Sequence, residues 1–168
     1  LQVSDNTLAE ALGRLISLEK GFDGSAATLT NAYKMALADT RLDLSAIKIE
    51  DGSGLSRYNQ VSPKLVNDLL TLVFKNELGL GTIRAGLPVA GSPGSLSARF
   101  EDLTGKVEAK TGWIRSGYSL AGFLEAEDDS VLIFSAYNLA NSVNTQNRDA
   151  LDRLVAGFQA CGLALANR

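Results

Sequence analysis

Lys106-Val107-Glu108-Ala109-Lys110-Thr111-Gly112 is the stretch from which the fold of this 168-residue chain is read. Val107, Ala109 and Thr111 alternate with Lys106, Glu108 and Lys110, the period of a strand with two unlike faces. Downstream, Tyr118 to Leu124 reads as a second strand. Val131 to Tyr137 reads as a third, after the acidic turn Glu127-Asp128-Asp129. The two short connections predict an antiparallel three-stranded meander. Arg148 to Leu165, with Leu151, Leu154, Val155 and Phe158, reads as a closing helix.

Upstream, residues 79 to 105 are rich in Gly, Pro and Ser and read as ordered loop with a short helical turn at most. Three helices are expected before it. The first runs from Thr7 to about Lys20, with Thr7 and Glu10 at capping-box spacing and Leu8, Leu12, Leu15 and Ile16 recurring on one face. Ser25 can cap the second, through about Ala38, with Leu29, Tyr33, Ala36 and Leu37 as its inner side. Asp51-Gly52-Ser53-Gly54 is a turn, and Ser62-Pro63 opens the third helix, which presents Leu65, Leu69, Leu72 and Val73. A helical block (about 1–105) followed by a meander and closing helix (about 106–168) is an α+β order, with no repeat and no linker. The length fits one domain with its own core.

Composition removes several kinds of function. Hydrophobic residues at 45% and charged residues at 21% are those of a globular protein, and a net charge of −3 with no basic run argues against nucleic-acid binding. With no histidine, Ser-His-Asp and Cys-His triads are excluded within this chain. One cysteine without histidine excludes a Cys/His zinc site, and no metal or other cofactor is expected. A base acting near neutral pH must be Lys, Asp, Glu or Tyr with a shifted pKa, and lysine beside serine fits best. Cys161 lies in an apolar stretch and is expected to be a buried free thiol. No apolar run reaches the roughly 18 residues of a membrane span, and no signal peptide is visible. The chain begins with Leu1 rather than Met, as a processed end, a cleavage product or a truncated chain would.

Two tripeptides carry the chemistry. Lys110-Thr111-Gly112 closes the alternating strand, offering a fixed positive charge, a hydroxyl donor and a residue with no side chain. Such a strand edge suits a ligand that ends in a carboxylate and pairs like an added strand. Ser4-Asp5-Asn6 precedes the first helix; its hydroxyl can relay a proton and its amide can grip a carbonyl, although Ser, Asp and Asn also favour helix entries for purely structural reasons. The two tripeptides in this order are two of the three elements of penicillin-interacting serine enzymes, the third being an upstream Ser-x-x-Lys.

The resemblance is wider than the tripeptides. Ser4-Asp5-Asn6 with Ala9-Glu10, Asp51-Gly52-Ser53-Gly54-Leu55-Ser56-Arg57 with Val61-Ser62-Pro63, and Leu87-Pro88-Val89-Ala90-Gly91 with Gly94-Ser95-Leu96 and Arg99 all match one pattern. Ala109-Lys110-Thr111-Gly112 and Ser119-Leu120-Ala121-Gly122 complete it. From Ser4 to Asn138 the chain resembles the D-alanyl-D-alanine carboxypeptidase/endopeptidase family of low-molecular-mass penicillin-binding proteins. The resemblance implies the C-terminal part of a single catalytic domain of the penicillin-binding-protein/serine β-lactamase-like transpeptidase fold, an antiparallel sheet flanked by helices.

It also implies roles. An upstream serine would attack the bond between two D-alanines and form an acyl-enzyme. Ser4 would relay the proton to the departing amine, and Asn6 would hold the substrate carbonyl. Lys110 would bias the Ser4 proton and attract the terminal carboxylate, to which Thr111 would donate, with Gly112 leaving room for the substrate. The Trp113 N–H would be one oxyanion donor, its partner being the N–H of the upstream serine. Peptidoglycan stem peptides are the implied substrates of this extracytoplasmic serine hydrolase, and β-lactams its inhibitors. A homodimer is left open.

The departure is the nucleophile. Ser-x-x-Lys occurs only at Ser17–Lys20 and Ser45–Lys48, both after Ser4 and against the family order, and both read as coincidental. The chain is therefore expected to lack its attacking serine and to be inactive alone; an N-terminal fragment of the same precursor is left open as a partner. A serine β-lactamase-like hydrolase and a non-catalytic peptidoglycan-binding domain are the alternatives. Asp51 is expected to serve its own turn, and Glu127-Asp128-Asp129 to be a solvated hairpin turn rather than a metal site.

Overall fold

A computed structural model describes residues 1–165 and divides them between two compact units, Asp5–Leu69 and Leu1–Ser4 with the chain from Leu70 onward. In the first unit lie α1 (Asn6–Glu19) and α2 (Ala26–Ala36), and α3 (Pro63–Phe74) begins there. The cap of α1 is Asp5 rather than Thr7: Asp5 Oδ1 accepts from the Leu8 N–H at 2.8 Å. Glu10 does not turn back to the helix start. Its carboxylate accepts from the Gly52 and Ser53 N–H groups at 2.6 and 3.2 Å and pairs with Arg14.

The leucine face picked out by periodicity is the exposed one. Leu8, Leu12 and Leu15 are 58%, 52% and 57% exposed, while Gly13 and Ser17 are buried. Close approach selects this side. A Cβ on Gly13 would lie 3.0 Å from Gly52 Cα, and Ser17 Oγ shares a 2.7 Å hydrogen bond with Thr28. Ser17, one of the two coincidental Ser-x-x-Lys serines, is thus a buried structural hydroxyl; the other, Ser45, is bound to the Asp43 carboxylate at 2.6 Å. Leu29 and Ala32 are the buried residues of α2, so Ala36, expected inside, is exposed. Ser25 occupies the α2 cap position without a side-chain bond; its own N–H is held by Asp23 at 2.8 Å. Ser62 caps α3 through the Leu65 N–H at 3.1 Å, and Leu70 and Val73 are the buried residues of that helix.

The second unit is built on a sheet of order β1-β2-β3, with β1 Val107–Ile114, β2 Gly117–Glu125 and β3 Val131–Leu139, all antiparallel. Lys110 pairs with Ala121 and Gly112 with Ser119. The predicted meander forms, each of its later strands being two residues longer than the sequence suggests. α5 (Thr145–Gln159) starts at a capping box in which Asn144 and Asn147 bond each other's ends, three residues before the expected start. Its Val155 joins Val107, Ala109, Leu120, Leu124 and Phe134 in the core, with Phe158 packed against it. Residues 77–103 hold more helix than expected: α4 (Thr82–Ala85) and 3₁₀ turns at Glu77–Gly79 and Glu101–Leu103. The acidic turn is solvated, and Asp128 binds the N–H groups of Ser130 and Leu163. Cys161 is exposed, not buried, because it follows the end of α5 and is not carried on that helix's inward face.

Candidate active site

β1 is an edge strand whose outer side is only partly covered. The Ala90 N–H donates to Val107 O at 2.9 Å, and the Ala109 N–H to Pro88 O at 2.9 Å. These bonds turn the backbone groups of odd-numbered residues away from β2, and strand alternation carries the same orientation to Thr111 and Trp113. Among the described residues no strand pairs with this side beyond Ala109. The edge is therefore open where Lys-Thr-Gly lies, the geometry that β-strand addition uses. The start of β1 is fixed by Arg84, which holds Glu108 through two bonds of 2.7 and 2.8 Å with its guanidinium 4.7 Å from the Phe123 ring centre.

Lys110 follows the buried Ala109 in β1 and is itself half-buried. Its ammonium donates to Ser4 Oγ at 2.7 Å and to Thr111 O at 2.5 Å. Half-burial lowers its pKa from the ordinary lysine value, because desolvation penalises the charged form. An ammonium donating to the serine oxygen directs the Ser4 proton elsewhere, as a relay requires. Ser4 is held in a left-handed backbone conformation, φ 53°, with its N–H bonded to Leu1 O at 3.1 Å. For a side chain other than glycine that conformation costs about 1–2 kcal/mol, the kind of strain that functional sites retain.

Asn6 is the first residue of α1 and is exposed. Thr111 Oγ1 donates to Ser95 Oγ at 3.0 Å. A Cβ at Gly112 would lie 2.2 Å from Ser119 Oγ, so that hydroxyl would have to turn aside for any larger residue. Trp113 is 63% exposed at the end of the open edge, its ring centre 6.3 Å from that of Tyr118. The structure thus brings Ser4, Lys110 and Thr111 into one hydrogen-bonded neighbourhood. Ser95, hydrogen-bonded to Thr111, and Ser119, which faces Gly112, are not singled out by the sequence as site residues. Both lie within family-like segments, and the strand register could have placed Ser119 opposite Gly112.

Asp51 serves its own turn, accepting from the Gly54 and Ser56 N–H groups at 2.6 Å each, and Arg57 is exposed with its guanidinium 5.7 Å from the Tyr58 ring centre. Among the described residues no group of three or more Cys, Asp or Glu side chains could hold a metal ion. No helix of the described residues is long and apolar enough to cross a membrane.

The chain is similar to known proteins in sequence and in fold. The model of the D-Ala-D-Ala carboxypeptidase 3 (S13) family matches residues 1–158, and the chain belongs to that family. Carboxypeptidase DacB of Mycolicibacterium smegmatis is 29% identical over 95% of this chain and 36% of its own length. The D-alanyl-D-alanine carboxypeptidase DacB of Haemophilus influenzae is 34% identical over 74% of this chain and 27% of its own. The crystal structure of penicillin binding protein 4 from Haemophilus influenzae, complexed with a β-lactam, superposes with a TM-score of 0.82 at 28% identity. The match covers 94% of this chain and 39% of that one. A predatory peptidoglycan endopeptidase from Bdellovibrio bacteriovorus, 17% identical with a TM-score of 0.62, shares the fold. The chain spans about a third of the length of these relatives, and its fold is the α+β fold of penicillin-binding proteins.

Proposed function

We propose that the chain is the C-terminal part of the catalytic domain of an extracytoplasmic serine D-Ala-D-Ala carboxypeptidase/endopeptidase. It supplies the proton-relaying and substrate-gripping side of the site. The observation that carries this reading is the 2.7 Å hydrogen bond from Lys110 Nζ to Ser4 Oγ, which joins the two tripeptides beside an open strand edge.

In the reaction the upstream serine Oγ attacks the carbonyl carbon of the penultimate D-alanine of a peptidoglycan stem peptide. Ser4 Oγ accepts the nucleophile's proton and passes its own to the nitrogen of the departing D-alanine as the C–N bond breaks, with Lys110 biasing the exchange. Asn6 holds the acyl-side amide, and Thr111 and Lys110 hold the terminal carboxylate. The outward Trp113 N–H stabilises the oxyanion. Water then cleaves the ester. β-Lactams enter by the same path and stall as acyl-enzymes. The leucine row of α1 suits cover by the segment that brings Ser-x-x-Lys, since contiguous exposed apolar surface marks an interaction face.

Labelling with a fluorescent penicillin tests the reading. The 168-residue chain, its mass verified, should remain unlabelled; the same chain supplied with its upstream Ser-x-x-Lys segment should label covalently and release D-alanine from a D-Ala-D-Ala peptide. Labelling of the chain alone would show that the nucleophile lies within it. Absence of labelling in the presence of the upstream segment would favour a peptidoglycan-binding domain.

A further inference from the structure

We propose that Ser95 is a positioning residue for the Thr111 hydroxyl, setting the direction of the proton that Thr111 offers to a ligand carboxylate. The inference rests on the carboxylate-binding role given to Thr111 above and assigns a further residue to it.

Two hydroxyls sharing one hydrogen bond leave one proton over, because each carries a single donor and two acceptor lone pairs. In the structure Thr111 donates to Ser95 Oγ at 3.0 Å, so the Thr111 proton is committed to Ser95. A carboxylate accepts only and would meet lone pairs on Thr111 in that arrangement. Turning both O–H bonds reverses the pair without moving a heavy atom: Ser95 donates to Thr111 Oγ1, and the Thr111 proton points to the ligand. A hydroxyl that accepts a hydrogen bond also becomes a better donor, since hydrogen bonds in a chain polarise one another. Ser95 is thus both the resting acceptor and the donor that sharpens Thr111.

The loop that presents Ser95 is fixed on both sides. Leu96 is fully buried in the core with Val107, Ala109 and Leu120. The Ser97 N–H closes a turn onto Gly94 O at 3.2 Å, and Gly94 has φ 140°. A Cβ at Gly94 would lie 3.4 Å from Gln2 O, so the loop that touches Thr111 also lies against the segment leading to Ser4. A hydroxyl held by such a loop keeps its place whether or not a ligand is bound.

Release of D-alanine by the full-length enzyme tests the inference. Ser95→Ala should lower kcat/KM for a D-Ala-D-Ala peptide by roughly three- to ten-fold, mainly through KM, the size expected for one neutral hydrogen bond. Ser95→Thr, which keeps the hydroxyl, should stay within about two-fold of wild type on the same scale. In a Thr111→Val background Ser95→Ala should add no further loss, because a residue acting through Thr111 has nothing left to orient. Ser95→Cys, close in volume with a weak acceptor, gives the same comparison should alanine disturb the loop. Undiminished activity in Ser95→Ala, or losses that add in the double variant, would overturn the proposal while leaving the carboxypeptidase reading intact. A wild-type enzyme that releases no D-alanine would overturn both.

Discussion

Ser4 Oγ accepts a 2.7 Å hydrogen bond from Lys110 Nζ across 106 residues of sequence, joining a left-handed turn to an edge strand. In the enzyme completed by its upstream segment, Lys110→Ala should slow penicillin acylation by about 10²–10⁴, the span of a lost acid–base partner. Lys110→Arg should not restore the rate, because a longer side chain ending in a planar guanidinium fork does not reproduce the compact ammonium that donates to Ser4 Oγ at 2.7 Å. The time course of fluorescent-penicillin labelling measures both.

The lowered pKa of Lys110 gives stability a direction in pH. The unfolded chain keeps this proton to about pH 10.4, whereas the folded chain, having desolvated the ammonium, releases it earlier. Between those points the unfolded state binds more protons, so the folded state gains stability as pH rises; below the folded pKa the burial cost is present in full. Lys110→Met has no such dependence. Its stability minus that of wild type, from urea midpoints, should therefore fall as pH is raised from about 7 to about 10. A flat or rising difference would contradict the assignment.

Gly112 and Gly122 both meet β-strand neighbours but should differ when replaced by alanine. At Gly112 the new methyl meets Ser119 Oγ, 2.2 Å away, which can turn aside. Gly112→Ala should cost about 1 kcal/mol, and Ser119→Ala should relieve most of that cost. At Gly122 the methyl meets Glu108 O at 2.1 Å and Ala109 Cα at 2.6 Å, which are backbone. That variant should lose about 3 kcal/mol or more and be rescued by no side-chain change. Thermal melts of the four variants decide.

Arg99 and Asp152 form a two-bond ion pair that ties the loop before β1 to α5, their side chains only 13% and 20% exposed. Asp152→Ala leaves a mostly buried guanidinium unpaired and should cost about 2–3 kcal/mol. Lys64 and Asp68 are paired at 2.6 Å but 82% and 39% exposed, and Asp68→Ala should change stability by only about 0.5 kcal/mol. Denaturant midpoints compared at matched salt test the contrast.

Much of this architecture is legible in the sequence. The two-residue period of Val107, Ala109 and Thr111 is a local property, and it located β1, although the strand runs two residues past Lys-Thr-Gly to Ile114. Turn residues placed the β2–β3 connection, and Ser62-Pro63 placed the start of α3. The α1 cap was misplaced by two residues because Asp5, Asn6 and Thr7 are all competent caps, and the choice of Asp5 leaves Glu10 free for the Gly52 and Ser53 N–H groups. Cys161 misled because an apolar neighbourhood in sequence says nothing of a helix that stops two residues earlier.

By itself the sequence determined the strand order, the two tripeptides and, through the lack of histidine, that no histidine base lies within this chain. Only the tertiary structure decided that α1 turns Gly13 and Ser17 inward and leaves its leucines outside. It also decided that Lys110 reaches Ser4 and that Ser95 stands against Thr111. Periodicity reports which residues share a face. Which face is covered, and which hydroxyl a given donor meets, depends on how closely distant segments approach, and here those approaches are set by Gly13 against Gly52 and by the loop running from Gly94 to the buried Leu96.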